Sequence, residues 1–250
     1  MKGKPTIFPN AARWRGLALA AAAGLILSAC DRPTAMVDPA GRLEVLTPGP
    51  DFAIPDSIGE WTVLGADDDG GARFGVSEMG GVRALTVTTG RKTGILLRNT
   101  DAILVVAPYL SWAWKLDRHA GAQHPVRIAV GFRGGGAQSG RWREKTLAWL
   151  GPELPPYERM MTIGWDVSAL RRGHMGPPRE NPRAPRHYTV GGGTENAGDW
   201  RLETVDLSAL YRQAWPEDDF ISAKIAFIGI VSLATHTPST AGISGLVLSR

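Results

Sequence analysis

The chain has 250 residues, of which 43% are hydrophobic, and its 31 glycines and 18 prolines predict many turns. Its formal charge of +4 comes from the segment before Cys30, because the 28 basic residues less the four in that segment leave 24, which match 24 acidic residues. This balance gives no argument for nucleic-acid binding. The single cysteine excludes an intrachain disulfide and a thiolate metal cluster.

Residues 1–29 predict a lipoprotein signal peptide. A basic segment, 1–15, precedes a wholly apolar run, 16–27, that is short for a membrane span. The sequence Leu27-Ser28-Ala29-Cys30 resembles the bacterial lipoprotein signal, in which the cysteine is diacylated on sulfur and becomes the new N-terminus. The alternatives are an ordinary secretory signal with a coincidental cysteine and an uncleaved anchor. Acylation would hold the protein on a membrane and remove the thiol from catalysis.

The segment that follows Cys30 predicts a membrane-proximal tether over residues 30–50. It contains four prolines and only a short apolar patch, Leu43–Leu46. An aspartate directly after the cysteine, here Asp31, resembles an inner-membrane retention signal used by some Gram-negative bacteria. We expect a bacterial cell-envelope lipoprotein that is anchored in a membrane and faces the periplasm, with residues 51–250 forming a single domain.

From Trp61 onward, short apolar or alternating runs separated by glycine-rich turns predict β-strands. Their spacing of about ten residues is typical of an antiparallel sandwich, and predicts an all-β, jelly-roll-like fold with one or two short helices. The predicted strands span 61–64, 72–76, 82–88, 93–97, 103–106, 109–116, 126–132, 160–165, 187–190, 200–205, 225–233 and 243–248. The run 225–233 is apolar throughout, which predicts a central strand buried on both faces.

The strand 109–116 is the most distinctive of these. Trp112 and Trp114 alternate with small residues and share their face with Leu110 and Leu116. Such a face either packs in the centre of a sandwich or forms a stacking platform for a ligand. We favour the core, and keep Trp112 and Trp114 as candidate ligand-binding residues.

Two helices and one long loop interrupt the strands. Residues 141–150 and 207–215 predict short helices, the second with Asp206 as its N-cap. The loop 171–187 is rich in proline and arginine, and such a long loop is either functional or poorly ordered. Its arginines Arg171, Arg172 and Arg183 are candidates for binding lipid phosphates or an acidic polysaccharide, although a solvated loop would have the same composition.

The sequence contains no recognisable catalytic motif. A glycosidase needs two carboxyls at a defined separation, and nothing in the spacing of Asp166, Glu203 or Asp206 selects them. A Gly-x-Ser-x-Gly elbow, a His-Glu-x-x-His pair and a phosphate-binding glycine loop are all missing. The adjacent aspartates 67–69 would point apart, which disfavours calcium. We therefore predict no catalytic residue, metal ligand or cofactor.

Three features occur in a distinctive order: the Leu110–Lys115 strand, the Trp200–Glu203 strand before a helix containing Tyr211, and the sequence Ile228-Gly229-Ile230. In this order they resemble the bacterial domain of unknown function 3047. The resemblance implies a secreted or envelope β-sandwich and carries no established activity. Relatives tend to have an aspartate-rich loop after the Ile-Gly-Ile sequence, whereas residues 234–242 contain no aspartate. If that loop is a polar site in relatives, its chemistry is altered here.

The sequence thus predicts a lipid-anchored envelope protein whose β-sandwich binds a ligand without catalysis or has a structural role in the envelope. Carbohydrate, in particular an anionic envelope polysaccharide, is the expected ligand class, and the partners are membrane lipid through Cys30 and that polysaccharide. The alternative is a carbohydrate-active hydrolase or lyase on the same scaffold. An exposed aromatic strip would favour binding, whereas two facing carboxyls, with a raised pKa, would favour catalysis.

Overall fold

The computed structural model describes residues 34–48, 61–66, 70–136, 154–178 and 184–250. These residues form two β-sheets of six strands each and one α-helix. Cys30, Arg183, the aspartates 67–69 and the predicted helix 141–150 lie outside the described residues.

The strands of the first sheet are β1 (Arg42–Leu46), β3 (Arg73–Met79), β4 (Val82–Thr88), β6 (Tyr109–Leu116), β10 (Trp200–Asp206) and β12 (Thr240–Ser249). They lie in the order β10, β6, β12, β4, β3, and β1 pairs with β12 beyond the end of β4. The strands of the second sheet are β2 (Trp61–Leu64), β5 (Gly94–Ile103), β7 (Val126–Arg133), β8 (Arg159–Asp166), β9 (Arg186–Gly192) and β11 (Lys224–Ser232). They lie in the order β2, β5, β11, β7, β8, β9.

All strand pairs are antiparallel except β8 with β9, so the predicted antiparallel sandwich is confirmed. β11 lies between β5 and β7, and all its residues after Lys224 are buried, as its apolar sequence predicts. On the outer face of this strand, Phe227 covers Gly131 of β7. A Cβ at Gly131 would lie 2.1 Å from the phenyl ring, so only glycine fits beneath it.

β6 supplies the bulky side chains between the two sheets. Trp112 and Trp114 are 0% and 1% exposed, and their rings meet edge to face with centroids 5.4 Å apart. Leu110 and Leu116 are buried on the same face. The core interpretation of this strand therefore holds, and the stacking-platform interpretation is wrong, because a platform needs an exposed ring face.

The helix α1 (Leu207–Ala214) follows β10 directly. The Asp206 carboxylate accepts hydrogen bonds from the backbone N–H of Ala209 at 2.9 Å and from the Ser208 hydroxyl at 2.9 Å, which confirms the predicted N-cap. The helix packs Leu210 and Tyr211 into the core. No helix among the described residues is long and apolar enough to cross a bilayer.

Two boundary predictions are wrong. Residues 42–46 form β1 instead of a tether, because Val45 and Leu46 are buried and Arg98 of β5 donates hydrogen bonds to the carbonyls of Glu44 and Val45. The four-residue patch was too short for periodicity to reveal a partner that lies about 200 positions away in sequence. The predicted strand 103–106 is also absent, since β5 continues to Ile103 and the chain then turns.

We predict that Trp112→Ala destabilises the fold by about 3–5 kcal/mol, because it removes a large and fully buried ring. Denaturant unfolding of the variant checks this. Leu202→Ala is the matched control, since Leu202 lies on the neighbouring strand but is 78% exposed, and it should leave the midpoint nearly unchanged. A Trp112 variant as stable as the control would contradict the core assignment.

Candidate functional site

The pairing of β10 with β6 places two charged residues on the inner face of an edge strand. Arg201 lies opposite Trp114, and Glu203 lies opposite Trp112. Directly opposed residues of an antiparallel pair share a face of the sheet, so both residues lie on the core-facing side of β10. The Glu203 side chain is buried there, whereas the Arg201 side chain is 42% exposed. Among the described residues, β10 is an edge strand of the first sheet. At this edge, Arg201 and Glu203 lie beside the buried tryptophans of β6.

Gly191 of β9 allows the two sheets to approach here. A Cβ at this position would lie 2.4 Å from the ring of Trp165 and 3.1 Å from the Glu203 carboxylate. Trp165 in turn packs edge to face on Trp114, with centroids 6.1 Å apart. An alanine at position 191 would therefore push apart the indole and the carboxyl that meet at this edge.

Glu203 is a buried carboxyl, and nearby positive charges offset only part of the cost of burying its own charge. Its side chain is 8% exposed, and the guanidinium of Arg172 lies 4.0 Å from its Oε2 atom. Burial raises the pKa of Glu203, while the positive charges of Arg172 and Arg201 oppose this rise without cancelling it. The site thus keeps one carboxyl partly out of water between two arginines.

Arg172 reaches this carboxyl because its segment runs along β9. Backbone hydrogen bonds join the N–H of Gly173 to the carbonyl of Thr189 at 2.8 Å, and the N–H of Gly176 to the carbonyl of His187 at 2.8 Å. This pairing holds the beginning of the predicted basic loop against the edge of the second sheet. The Arg172 side chain remains 73% exposed, so it is available to a ligand.

A shallow crevice lies at the same edge. It is lined by Trp114, Leu116, Trp165, Asn196, Ala197, Asp199 and Arg201. The Arg201 guanidinium donates to the Asn196 side-chain oxygen at 2.5 Å and lies 3.9 Å from the Asp199 carboxylate. The lining therefore combines three buried apolar side chains, Trp114, Leu116 and Trp165, with a polar rim of Asn196, Asp199 and Arg201.

Two N–H groups of this lining have no hydrogen-bond partner within the described part of the chain. They are the indole Nε1 of Trp114 and the Nε of Arg201, and both are buried. Unpartnered polar atoms are rare in folded proteins and call for an explanation. Other buried polar atoms of the sandwich, among them the Nε1 of Trp112 and the hydroxyl of Ser232, are in the same situation.

The structure brings together only part of the predicted ligand-binding set. Arg172 lies at the crevice edge, Arg171 is exposed beside it, and Arg183 lies outside the described residues. Trp114 forms part of the lining with its ring covered. Sequence reasoning missed Arg201 and Asn196, although the alternation of β10 opposite the tryptophan strand indicates which of its residues face inward.

A second polar cluster lies where β6 ends and β12 begins. The Asp117 carboxylate accepts hydrogen bonds from the Ser239 hydroxyl at 2.6 Å, the backbone N–H of Thr240 at 2.6 Å and the ring of His124 at 3.1 Å. Burial raises the pKa of Asp117, but these hydrogen bonds outweigh it and hold the pKa below its usual value. The ring of His119 lies 3.3 Å from the Ser239 hydroxyl.

This cluster resembles an Asp-His-Ser arrangement in composition only. Ser239 is 1% exposed, and its hydroxyl proton is donated to Asp117, so the oxygen is neither accessible nor activated as a nucleophile. Burial lowers the pKa of His119, with a further contribution from His124. The described residues contain no group of three or more acidic, histidine or cysteine side chains placed to hold a metal ion. We assign the cluster to closing the end of the sandwich.

By its fold, the protein is a two-sheet antiparallel β-sandwich with a polar-rimmed crevice at one edge. The chain belongs to the family described as Protein of unknown function (DUF3047), whose model matches residues 60–244. No curated protein matches the chain in sequence.

Three solved structures are among those to which the chain is similar. The xyloglucanase domain of NopAA, a type three effector from Sinorhizobium fredii, is 9% identical, with a TM-score of 0.41 over 82% of this chain and 100% of that one. The K2 cleaved adhesin domain of Lys-gingipain is 10% identical, with a TM-score of 0.39 over 84% and 98%. The mannan-recognising carbohydrate-binding module TmCBM27 is 14% identical, with a TM-score of 0.31 over 76% and 89%. Likenesses this distant carry no argument about function.

We predict that Glu203→Gln stabilises the protein at pH 7 and that this gain disappears near pH 4. Because the pKa of Glu203 is raised on folding above its ordinary value of 4.5, the folded state binds more protons between those two values. Wild-type stability therefore falls as the pH rises from about 4.5 through the folded pKa, whereas the amide does not titrate.

Thermal unfolding at a series of pH values measures this difference. Glu78→Gln is the control, since Glu78 is exposed on β3 at the other side of the sheet. A Glu203 variant that is less stable than wild type at pH 7 would show that the arginines outweigh burial.

Proposed function

We propose that this protein is a non-catalytic glycan-binding protein of the bacterial envelope, held on a membrane by acylated Cys30. The observation that carries the binding proposal is the pair of exposed arginine side chains, Arg172 and Arg201, at the edge that holds the buried carboxyl of Glu203, with Asn196 and Asp199 beside Arg201. An anionic polysaccharide is the ligand class that fits this chemistry best.

The rim supplies the groups that a hydroxylated, negatively charged sugar needs. A guanidinium forms bidentate hydrogen bonds with a carboxylate, and both Arg172 and Arg201 have exposed side chains, 73% and 42%. Asn196 and Asp199 offer donors and acceptors for hydroxyl groups.

Binding without catalysis fits the electrostatics of the site. The charged groups that shift the pKa of Glu203 are Arg172 and Arg201, and no carboxylate contributes to the shift. A second buried carboxyl, Asp166, accepts a hydrogen bond from the backbone N–H of Ser168 at 2.9 Å, which stabilises the turn after β8. A glycosidase pair needs two carboxyls that face each other across the scissile bond.

One observation favours the second candidate, a carbohydrate-active hydrolase or lyase. The raised pKa of Glu203 is the property that a general acid needs at neutral pH. In that case Glu203 would donate a proton to the leaving oxygen, and Glu203→Gln would abolish turnover while the fold stays intact. The assay measures the release of reducing ends from a polysaccharide. Release by the wild type that is lost in the Glu203→Gln variant would show that the protein is catalytic.

We predict that Arg201→Ala weakens retention on polygalacturonate about tenfold, because one charge-assisted hydrogen-bonding group is lost. Affinity gel electrophoresis measures this retention directly, with hydroxyethylcellulose as the uncharged comparison. Arg73→Ala is the matched control, since Arg73 is an exposed arginine on β3, at the far edge of the same sheet. Equal retention of the two variants would show that the polysaccharide does not bind at the crevice.

The anchoring part of the proposal rests on the sequence Leu27-Ser28-Ala29-Cys30 after a short apolar run. We predict that Cys30→Ser abolishes fatty-acid labelling and leaves the precursor uncleaved, because the thiol is the acylation point. Metabolic labelling followed by mass spectrometry of the N-terminus measures both effects. Unchanged labelling of the variant would sink the lipoprotein assignment.

A further inference from the structure

A half-buried arginine lies further along the edge that holds Glu203. Arg186 begins β9 and lies opposite Met161 of β8, whose side chain is fully buried. Opposed residues on paired strands project to the same face of a sheet. Arg186 therefore lies on the core-facing side of β9, as Arg201 does on β10.

The charge of Arg186 has no counterpart in the described part of the chain. Its Nε atom is buried without a hydrogen-bond partner there, and no carboxylate among those residues pairs with its guanidinium. Burial lowers the pKa of Arg186, and no neighbouring acid opposes this effect. A cation that loses water in this way lowers the stability of the fold, and an anionic ligand would supply the missing charge.

Arg159 shows what the fold supplies when a core-facing arginine is structural. It lies opposite the buried Phe132, and its Nε and Nη2 atoms donate to the Asp218 carboxylate at 2.6 and 2.9 Å. The Tyr211 hydroxyl donates to the same carboxylate at 3.0 Å. Arg186 lies on the next strand and has no such carboxylate within the described residues. This difference favours a partner for Arg186 from outside the chain.

Tyr188 and Met175 lie between Arg186 and the crevice. Tyr188 follows Arg186 by two residues and so shares its face of β9, and Met175 pairs directly with Tyr188. Both side chains pack against the core and remain partly exposed. The edge therefore continues from the crevice to Arg186 along β9.

The spacing along β9 sets the size of a ligand that uses both ends of this edge. Gly191 lies next to the Glu203 carboxylate, and Arg186 precedes it by five residues, which corresponds to roughly 15 Å along the strand. Arg172 lies at the Glu203 end. Cations thus occupy two separated places on one edge, and the single carboxylate of a sugar acid cannot contact both.

We propose that Arg186 is a second anion-binding subsite, and that the ligand is a linear polyanion lying along β9. The proposal rests on the glycan-binding function proposed above, and adds that two charged sugars of one chain bind at the same time. One charged group contacts Arg172 and Arg201, and another contacts the guanidinium of Arg186. Linking two contacts in one ligand gives an affinity that neither contact reaches alone.

Galacturonate oligomers of two lengths test the proposal on the mature full-length protein. A dimer has its two carboxylates on adjacent sugars, whereas a decamer extends well beyond the roughly 15 Å between the two ends of the edge. Isothermal titration calorimetry gives the affinity of each oligomer, and thermal unfolding gives the stability of each variant. Arg73→Ala is the matched control, since it removes an exposed arginine from β3, an edge strand of the other sheet.

We expect Arg186→Ala to weaken binding of the decamer about tenfold, and to leave binding of the dimer and the melting temperature nearly unchanged. The control should leave all three unchanged. A decamer affinity equal to that of the wild type would overturn the second subsite and leave the proposed function standing. No binding of either oligomer by the wild type would overturn both. A lower melting temperature, with an equal loss of affinity for dimer and decamer, would show that Arg186 is structural and would also overturn the subsite.

Discussion

The structure depends on the packing of the β6 indoles between two sheets. Trp112 and Trp114 are almost completely buried and touch each other edge to face, so the strand that carries them cannot shift its register without exposing both. The same register determines what the neighbouring edge strand presents to the interior. Because β10 pairs residue for residue with β6, the positions of Arg201 and Glu203 follow directly from the positions of the two tryptophans.

Placing Glu203 at this position lowers the stability of the fold. A carboxyl at the position of Glu203 loses hydration, and two arginines do not restore its ordinary pKa. An apolar residue would extend the core more simply, as Val205 does two positions later on the same face. A charged residue kept at a partly buried edge supports the proposal that this edge binds a ligand.

The sequence reveals those parts of the structure that depend on local patterns. Alternation predicts β6, continuous apolarity predicts the buried β11, and an aspartate before a periodic segment predicts the cap of α1. Other features arise from residues distant along the chain. β1 is stabilised by Arg98 and β12, and the Asp117 cluster forms because β6 pairs with β12. The crevice needs Gly191 as well, and no local pattern links that glycine to Glu203.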